Sequence, residues 1–115
     1  MTDVTLWHNP RCSKSRAALA LLEDAGHTVL VRRYLEDTPS LQDLRDVQVV
    51  LGLTALGMAR TREAAFKEAG LTRASDDAAV LAAMVAHPIL IERPVAITPK
   101  GAVIGRPPER VLEVV

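Results

Sequence analysis

The opening stretch of the chain holds the strongest constraint on its fold. Two short apolar runs, Val4 to Trp7 and Thr28-Val29-Leu30-Val31-Arg32-Arg33-Tyr34, bracket a longer apolar-periodic run from about Ser13 to Ala25. The two short runs are rich in β-branched residues and predict strands. Between them Ala17, Ala18, Leu21, Leu22 and Ala25 recur at helical spacing, and Gly26 supplies the residue that stops a helix. Strand, helix and strand joined this tightly predict a right-handed βαβ unit with two parallel strands, which places the chain in the α/β class.

The middle of the chain reads as helical. Thr38-Pro39-Ser40 is a turn, and Ser40 with Asp43 resembles a capping box that opens a helix running to about Leu51, ended by Gly52. A short helix around Thr54 to Ala59 follows. Another runs from about Thr61 to Ala69, closed by Gly70, and a fourth from Asp76 or Asp77 to Ala86, stopped by His87-Pro88. Val95 to Thr98 and Ala102 to Ile104 then read as a hairpin turning at Pro99-Lys100-Gly101, and Arg106-Pro107-Pro108 leads into a last helix from Glu109 to about Val114. The order βαβ, helical block, ββ, α is that of a thioredoxin/glutaredoxin-like domain. Residues 1–115 read as one such domain with a helical insertion at about 40–87 and a mixed four-stranded sheet flanked by helices.

Charge and composition limit the partners. Lys and Arg number 14 and Asp and Glu 14, so no overall field recruits nucleic acid or an anionic membrane, and an anion site must be local. The first residues, Met1-Thr2-Asp3-Val4, lack the pattern of a signal peptide, and no apolar run approaches the roughly 20 residues that span a bilayer. With a single cysteine no internal disulfide forms, and the expected setting is the reducing cytoplasm.

That cysteine, Cys12, lies in Trp7-His8-Asn9-Pro10-Arg11-Cys12-Ser13-Lys14-Ser15-Arg16, between the first strand and the first helix. A thiol in the first turn of a helix meets unpaired backbone N–H groups and the positive end of the helix dipole, which favour the thiolate. The same donors suit an oxyanion beside the sulfur. Ser15 stands where a C-x-x-C pair would have its second cysteine, so an oxidised Cys12 needs an outside thiol to restore it. Arg16 is only four residues on, too close for a phosphatase loop. His8 is either a thiol-tuning group or proton relay, or a strand-end histidine bonded to backbone. Asn9 and Ser15 are either donors to the sulfur or turn and cap residues. Arg11, Lys14 and Arg16 make the entrance basic.

Two more arginines stand beside prolines, Arg93-Pro94 before the hairpin and Arg106-Pro107 after it. A guanidinium fork matches a tetrahedral oxyanion, and both side chains leave the sheet near the βαβ crevice unless they are surface residues.

The segments His8 to Arg16, Tyr34-Leu35-Glu36, His87-Pro88-Ile89-Leu90-Ile91-Glu92-Arg93-Pro94 and Gly105-Arg106-Pro107-Pro108-Glu109-Arg110-Val111-Leu112-Glu113 occur together in this order. In this the chain resembles the glutaredoxin-dependent arsenate reductase family, ArsC-like and of thioredoxin-like fold, over nearly its whole length. Arg11, Ser13 and Lys14 around the cysteine look like an arsenate-reductase-related branch. The resemblance implies that Cys12 is the nucleophile on arsenate, that Arg60, Arg93 and Arg106 fall at the three anion-binding positions, and that His8 and Ser15 fall at the thiolate-tuning positions. Arg62 is a close neighbour of Arg60 in the same stretch. It further implies glutathione as reducing co-substrate, glutaredoxin as partner, no bound cofactor or metal, and a monomer. Two other readings share the fold: a monothiol glutaredoxin-like oxidoreductase, and a non-catalytic interaction protein similar to Spx-like regulators of RNA polymerase, whose usual C-x-x-C switch Ser15 interrupts.

Overall fold

A computed structural model describes residues 2–115. Its strands and helices are β1 (Asp3–Trp7), α1 (Ser13–Asp24), β2 (Thr28–Arg32), α2 (Leu41–Leu51), α3 (Ala64–Glu68), α4 (Asp77–Ala86), β3 (Val95–Thr98) and β4 (Gly101–Ile104), with 3-10 segments at Leu56–Met58, Pro88–Leu90 and Pro108–Val114. They fall into two units. One comprises the chain up to Asp37 together with Arg93–Val115, and the other comprises Thr38–Glu92.

The first unit is built on a four-stranded mixed sheet in the order β2-β1-β3-β4. β1 runs parallel to β2, pairing Val4 with Val29 and Trp7 with Arg32. β3 runs antiparallel to β1, with Trp7 opposite Val95, and β4 runs antiparallel to β3. This register brings four segments to one end of the sheet: the loops that follow β1 and β2, the segment that precedes β3 and the segment that follows β4. Val4, Leu6, Ala96 and Val103 of the sheet, Ala18 and Leu22 of α1, and Val111 and Val114 of the C-terminal segment form its core. Ala17 of α1 and the C-cap residue Ala25 are exposed, because the buried stripe runs instead through Ser15, Ala18 and Leu22.

Several boundaries differ from the sequence reading, each for a local reason. β2 stops at Arg32, two residues early, because the backbone turns: the Glu36 and Asp37 N–H groups both donate to the Arg33 carbonyl, and Tyr34 swings fully inside. Gly101 belongs to β4, opposite Thr98, so the hairpin turn is the two residues Pro99-Lys100. The last segment is 3-10 rather than α. At three residues per turn, Val111 and Val114 lie on one side and both bury. The Thr98 hydroxyl locks that segment down by donating to the Val114 carbonyl, while accepting from the Lys100 N–H at 3.0 Å.

The second unit is helical. The capping box at α2 is present in both directions, with the Asp43 N–H on Ser40 Oγ and the Ser40 N–H on Asp43 Oδ2, each at 3.0 Å. Asp76 caps α4 through the Ala79 N–H at 2.8 Å. Asp77 then accepts from Gln48 Nε2 of α2 at 2.8 Å and from the Ala55 N–H at 3.1 Å, tying three segments to one carboxylate. The predicted helix at Thr54 to Ala59 shortens to the 3-10 turn Leu56–Met58, since Ala59 leaves it extended to form a bridge with Ile91. The predicted helix from Thr61 shortens to α3, because Glu63 is extended and caps it.

Candidate active site

β1 ends in a loop tied by its own backbone. The His8 N–H extends the pairing with β2 by donating to the Arg32 carbonyl at 2.8 Å, the Cys12 N–H donates to the Asn9 carbonyl at 3.0 Å, and the Arg11 N–H donates to Asn9 Oδ1 at 3.0 Å. Arg16, one turn into α1, reaches back with Nη1 to the Pro10 carbonyl at 2.9 Å. These bonds hold Cys12 as the N-cap residue of α1, extended at φ −90° and ψ 122° and half-buried.

At that position the thiol is under opposing influences. Burial pushes the Cys12 thiol up, but the Ser15 N–H, the Arg93 side chain and the Lys14 N–H favour the thiolate, and the Arg93 charge adds to them. The net result is a pKa below that of an ordinary cysteine. The sulfur forms no full side-chain cap, so these donors act as attraction toward a developing thiolate rather than as a closed bond to the thiol.

Ser15 serves the sulfur through its backbone, not its hydroxyl. The side chain is wholly buried, and its Oγ accepts from the Asn9 N–H at 3.1 Å and lies 2.7 Å from His8 Nδ1. The hydroxyl thus joins the Asn9 N–H and the His8 ring in one buried hydrogen-bonded group. Burial lowers the His8 pKa, and the charges of Arg33 and Arg16 lower it further, which favours the neutral ring. The His8 ring contacts the Ser15 side chain, one turn into the helix that Cys12 caps.

Arg93 and Arg106 come together at the open end of the β3–β4 hairpin, where Val95 pairs with Ile104. Arg106 Nη1 donates to the Arg93 carbonyl at 3.1 Å, and the Gly105 N–H donates to the Pro94 carbonyl at 2.8 Å. The Arg93–Pro94 and Arg106–Pro107 bonds are both cis. Gly105 is required by crowding: a Cβ there would stand 2.8 Å from Pro94 Cγ and 2.8 Å from Val111 Cγ1. In the sequence Gly105 stands out only within its motif, although a glycine at the end of a strand often marks a close backbone approach.

Arg60 belongs to the second unit. There its Nη1 pairs with Glu63 at 2.9 Å and its Nε lies 3.9 Å from Glu92, while its N–H donates to the Leu90 carbonyl at 2.7 Å. Arg62 is exposed. Thus His8, Cys12, Ser15, Arg93 and Arg106 gather within the first unit, and Arg60 is anchored within the other. Among the described residues no group of three or more His, Cys, Asp or Glu side chains is placed to hold a metal ion, and no helix is long and apolar enough to cross a membrane.

Comparison with known proteins shows the family. The ArsC family profile matches residues 7–114. The chain is similar to the arsenate reductase of Neisseria meningitidis, 44% identical over 113 residues that cover 96% of this chain and 97% of the relative. It is equally similar to the uncharacterized protein YfgD of Escherichia coli K12, 44% identical over 98% of this chain and 97% of that one. Among solved structures, the arsenate reductase from Vibrio cholerae superposes with a TM-score of 0.94 at 45% identity, covering 99% of this chain and 98% of the other.

Proposed function

Because the chain belongs to the ArsC family, we propose that it reduces arsenate to arsenite at Cys12, with glutathione as reducing co-substrate and a glutaredoxin as the partner that restores the thiol. One observation supports this above others: a thiol of lowered pKa sits at a helix N-terminus with the Arg93 guanidinium on its sulfur, and Arg93 is joined to Arg106. A nucleophile and cations suited to a tetrahedral oxyanion thus share one place.

In the proposed cycle the Cys12 thiolate attacks arsenic, forming an S–As bond as an arsenate oxygen leaves as water. Glutathione then supplies the second sulfur. Arsenic takes up two electrons and departs as arsenite, and the two sulfurs are joined as a Cys12–glutathione disulfide. The balance is Cys12–SH plus glutathione thiol plus arsenic acid, giving the mixed disulfide, arsenous acid and water. A glutaredoxin thiol finally takes over the glutathionyl group and frees Cys12. Arg93 and Arg106 hold the anion. His8 and Ser15 position the loop.

Arsenite release by the purified protein with glutathione and glutaredoxin tests the reading. Turnover that needs both, and is abolished by Cys12→Ser, is the expected result. Turnover that survives that substitution removes the mechanism, and equal turnover with a thioredoxin system alone removes the proposed reductant.

A further inference from the structure

The cysteine loop has two flanks. On the β3 side stand Arg93 and Arg106. On the β2 side the parallel register places the turn after β2 beside the loop after β1, and a cleft of about 240 Å³ opens between residues 8–11 and the side chains of Arg33, Leu35 and Glu36. Pockets that engulf a small ligand hold ~300–1,000 Å³, so this cleft suits a ligand that lies partly exposed and leaves after each cycle.

Its charges are uncommitted. Neighbouring Arg32 is engaged with Asp37, at 3.3 Å to the carboxylate and 3.1 Å to the carbonyl, and lies over the Trp7 ring. By contrast the side chains of Arg11, Arg33 and Glu36 are exposed and make no ion pair or side-chain hydrogen bond among the described residues. Two guanidiniums and one carboxylate therefore face a single opening whose lining reaches Arg11, the residue before the nucleophile, with the apolar Leu35 as its wall.

We propose that this cleft is the binding site of the reducing tripeptide thiol, with Arg11 and Arg33 receiving the two carboxylates of glutathione and Glu36 its ammonium. Glutathione carries those three charges at neutral pH, so ligand and cleft match charge for charge. The arrangement lets two substrates reach one sulfur from opposite flanks, the oxyanion from the β3 side and the thiol from the β2 side. The inference rests on the thiol-dependent reduction proposed above, but the site can be tested without arsenate. Cys12 thiolate attacks glutathione disulfide, the Cys12–S–S–glutathione bond forms, and one glutathione thiolate leaves.

The test uses the Arg11→Gln/Arg33→Gln double variant of the full chain, with its thermal midpoint measured to confirm the fold. Two exposed charge pairs are lost, so the KM for glutathione should rise about five- to tenfold, and glutathionylation of Cys12 by glutathione disulfide should slow by a similar factor. The KM for arsenate and the reaction with the uncharged thiol dithiothreitol should be unchanged. Acetylating the glutathione amine should weaken its use by wild type and not by Glu36→Gln. Unchanged glutathione kinetics in the double variant, with turnover intact, overturn the cleft and leave the arsenate reading standing. Equal losses with dithiothreitol overturn it too, because charge recognition would then not be the cause. If wild type reduces no arsenate yet its glutathionylation depends on both arginines, the arsenate reading falls and the cleft is upheld.

Discussion

Ser15→Ala separates the backbone of α1 from its side chain. The Ser15 hydroxyl is wholly buried and serves two groups, the Asn9 N–H at 3.1 Å and His8 Nδ1 at 2.7 Å. Alanine leaves both without a partner in a place water does not reach. Each such group costs about 1–3 kcal/mol, while the better helix propensity of alanine returns about 0.5 kcal/mol. The expected loss is about 1.5–5.5 kcal/mol, which for a chain of this size lowers the thermal midpoint by roughly 6–22 °C. The Cys12 thiol should respond little, since it is the Ser15 N–H that meets the sulfur, and alanine keeps that N–H. Urea denaturation gives the first quantity, and the pH dependence of iodoacetamide alkylation gives the second. A stability loss below about 0.5 kcal/mol, the range of an ordinary surface change, together with a Cys12 pKa returned to that of a free cysteine, would refute the argument. The hydroxyl would then be a ligand of the sulfur and not a brace for the loop.

Two further predictions concern the supports of the site. Gly105→Ala drives a Cβ to 2.8 Å from both Pro94 and Val111, so it should cost about 1–3 kcal/mol in urea denaturation and reduce kcat/KM for arsenate by displacing Arg93 and Arg106; a variant as stable and active as wild type would show that the crowding is readily relieved. His8 has a lowered pKa in the fold, so the unfolded chain takes up a proton before the folded one does. Stability is therefore greatest above the ordinary histidine pKa of about 6.5 and declines as pH falls through that value toward the folded one. Urea midpoints measured across this interval should show the decline in wild type and a flatter curve in His8→Gln, and identical curves would place the titrating group elsewhere.

The sequence by itself determined the local elements and the chemical candidates. Apolar spacing between Val4 and Tyr34 was enough for the βαβ unit, and the Ser40–Asp43 box and Gly26 fixed helix ends, because capping and the left-handed glycine act over three or four residues. The position of Cys12 at the start of a helix was legible for the same reason, and the motifs around Cys12, Arg93 and Arg106 were enough for the family. Tertiary structure decided what each polar group touches. Ser15 reads in the sequence either as a donor to the sulfur or as a turn and cap residue, and only the fold directs its hydroxyl to His8 and Asn9 and its backbone N–H toward the sulfur. Tyr34 was read as a strand residue, yet the turn at Arg33 buries it and brings Arg33 and Glu36 to the cysteine loop. The parallel register of β1 and β2 juxtaposes residues more than twenty apart, and the Arg93 carbonyl receives Arg106 from the far strand of a hairpin. Such contacts depend on desolvation and strand pairing between distant segments, and periodicity along the chain reports only which face a residue occupies, not what lies across from it.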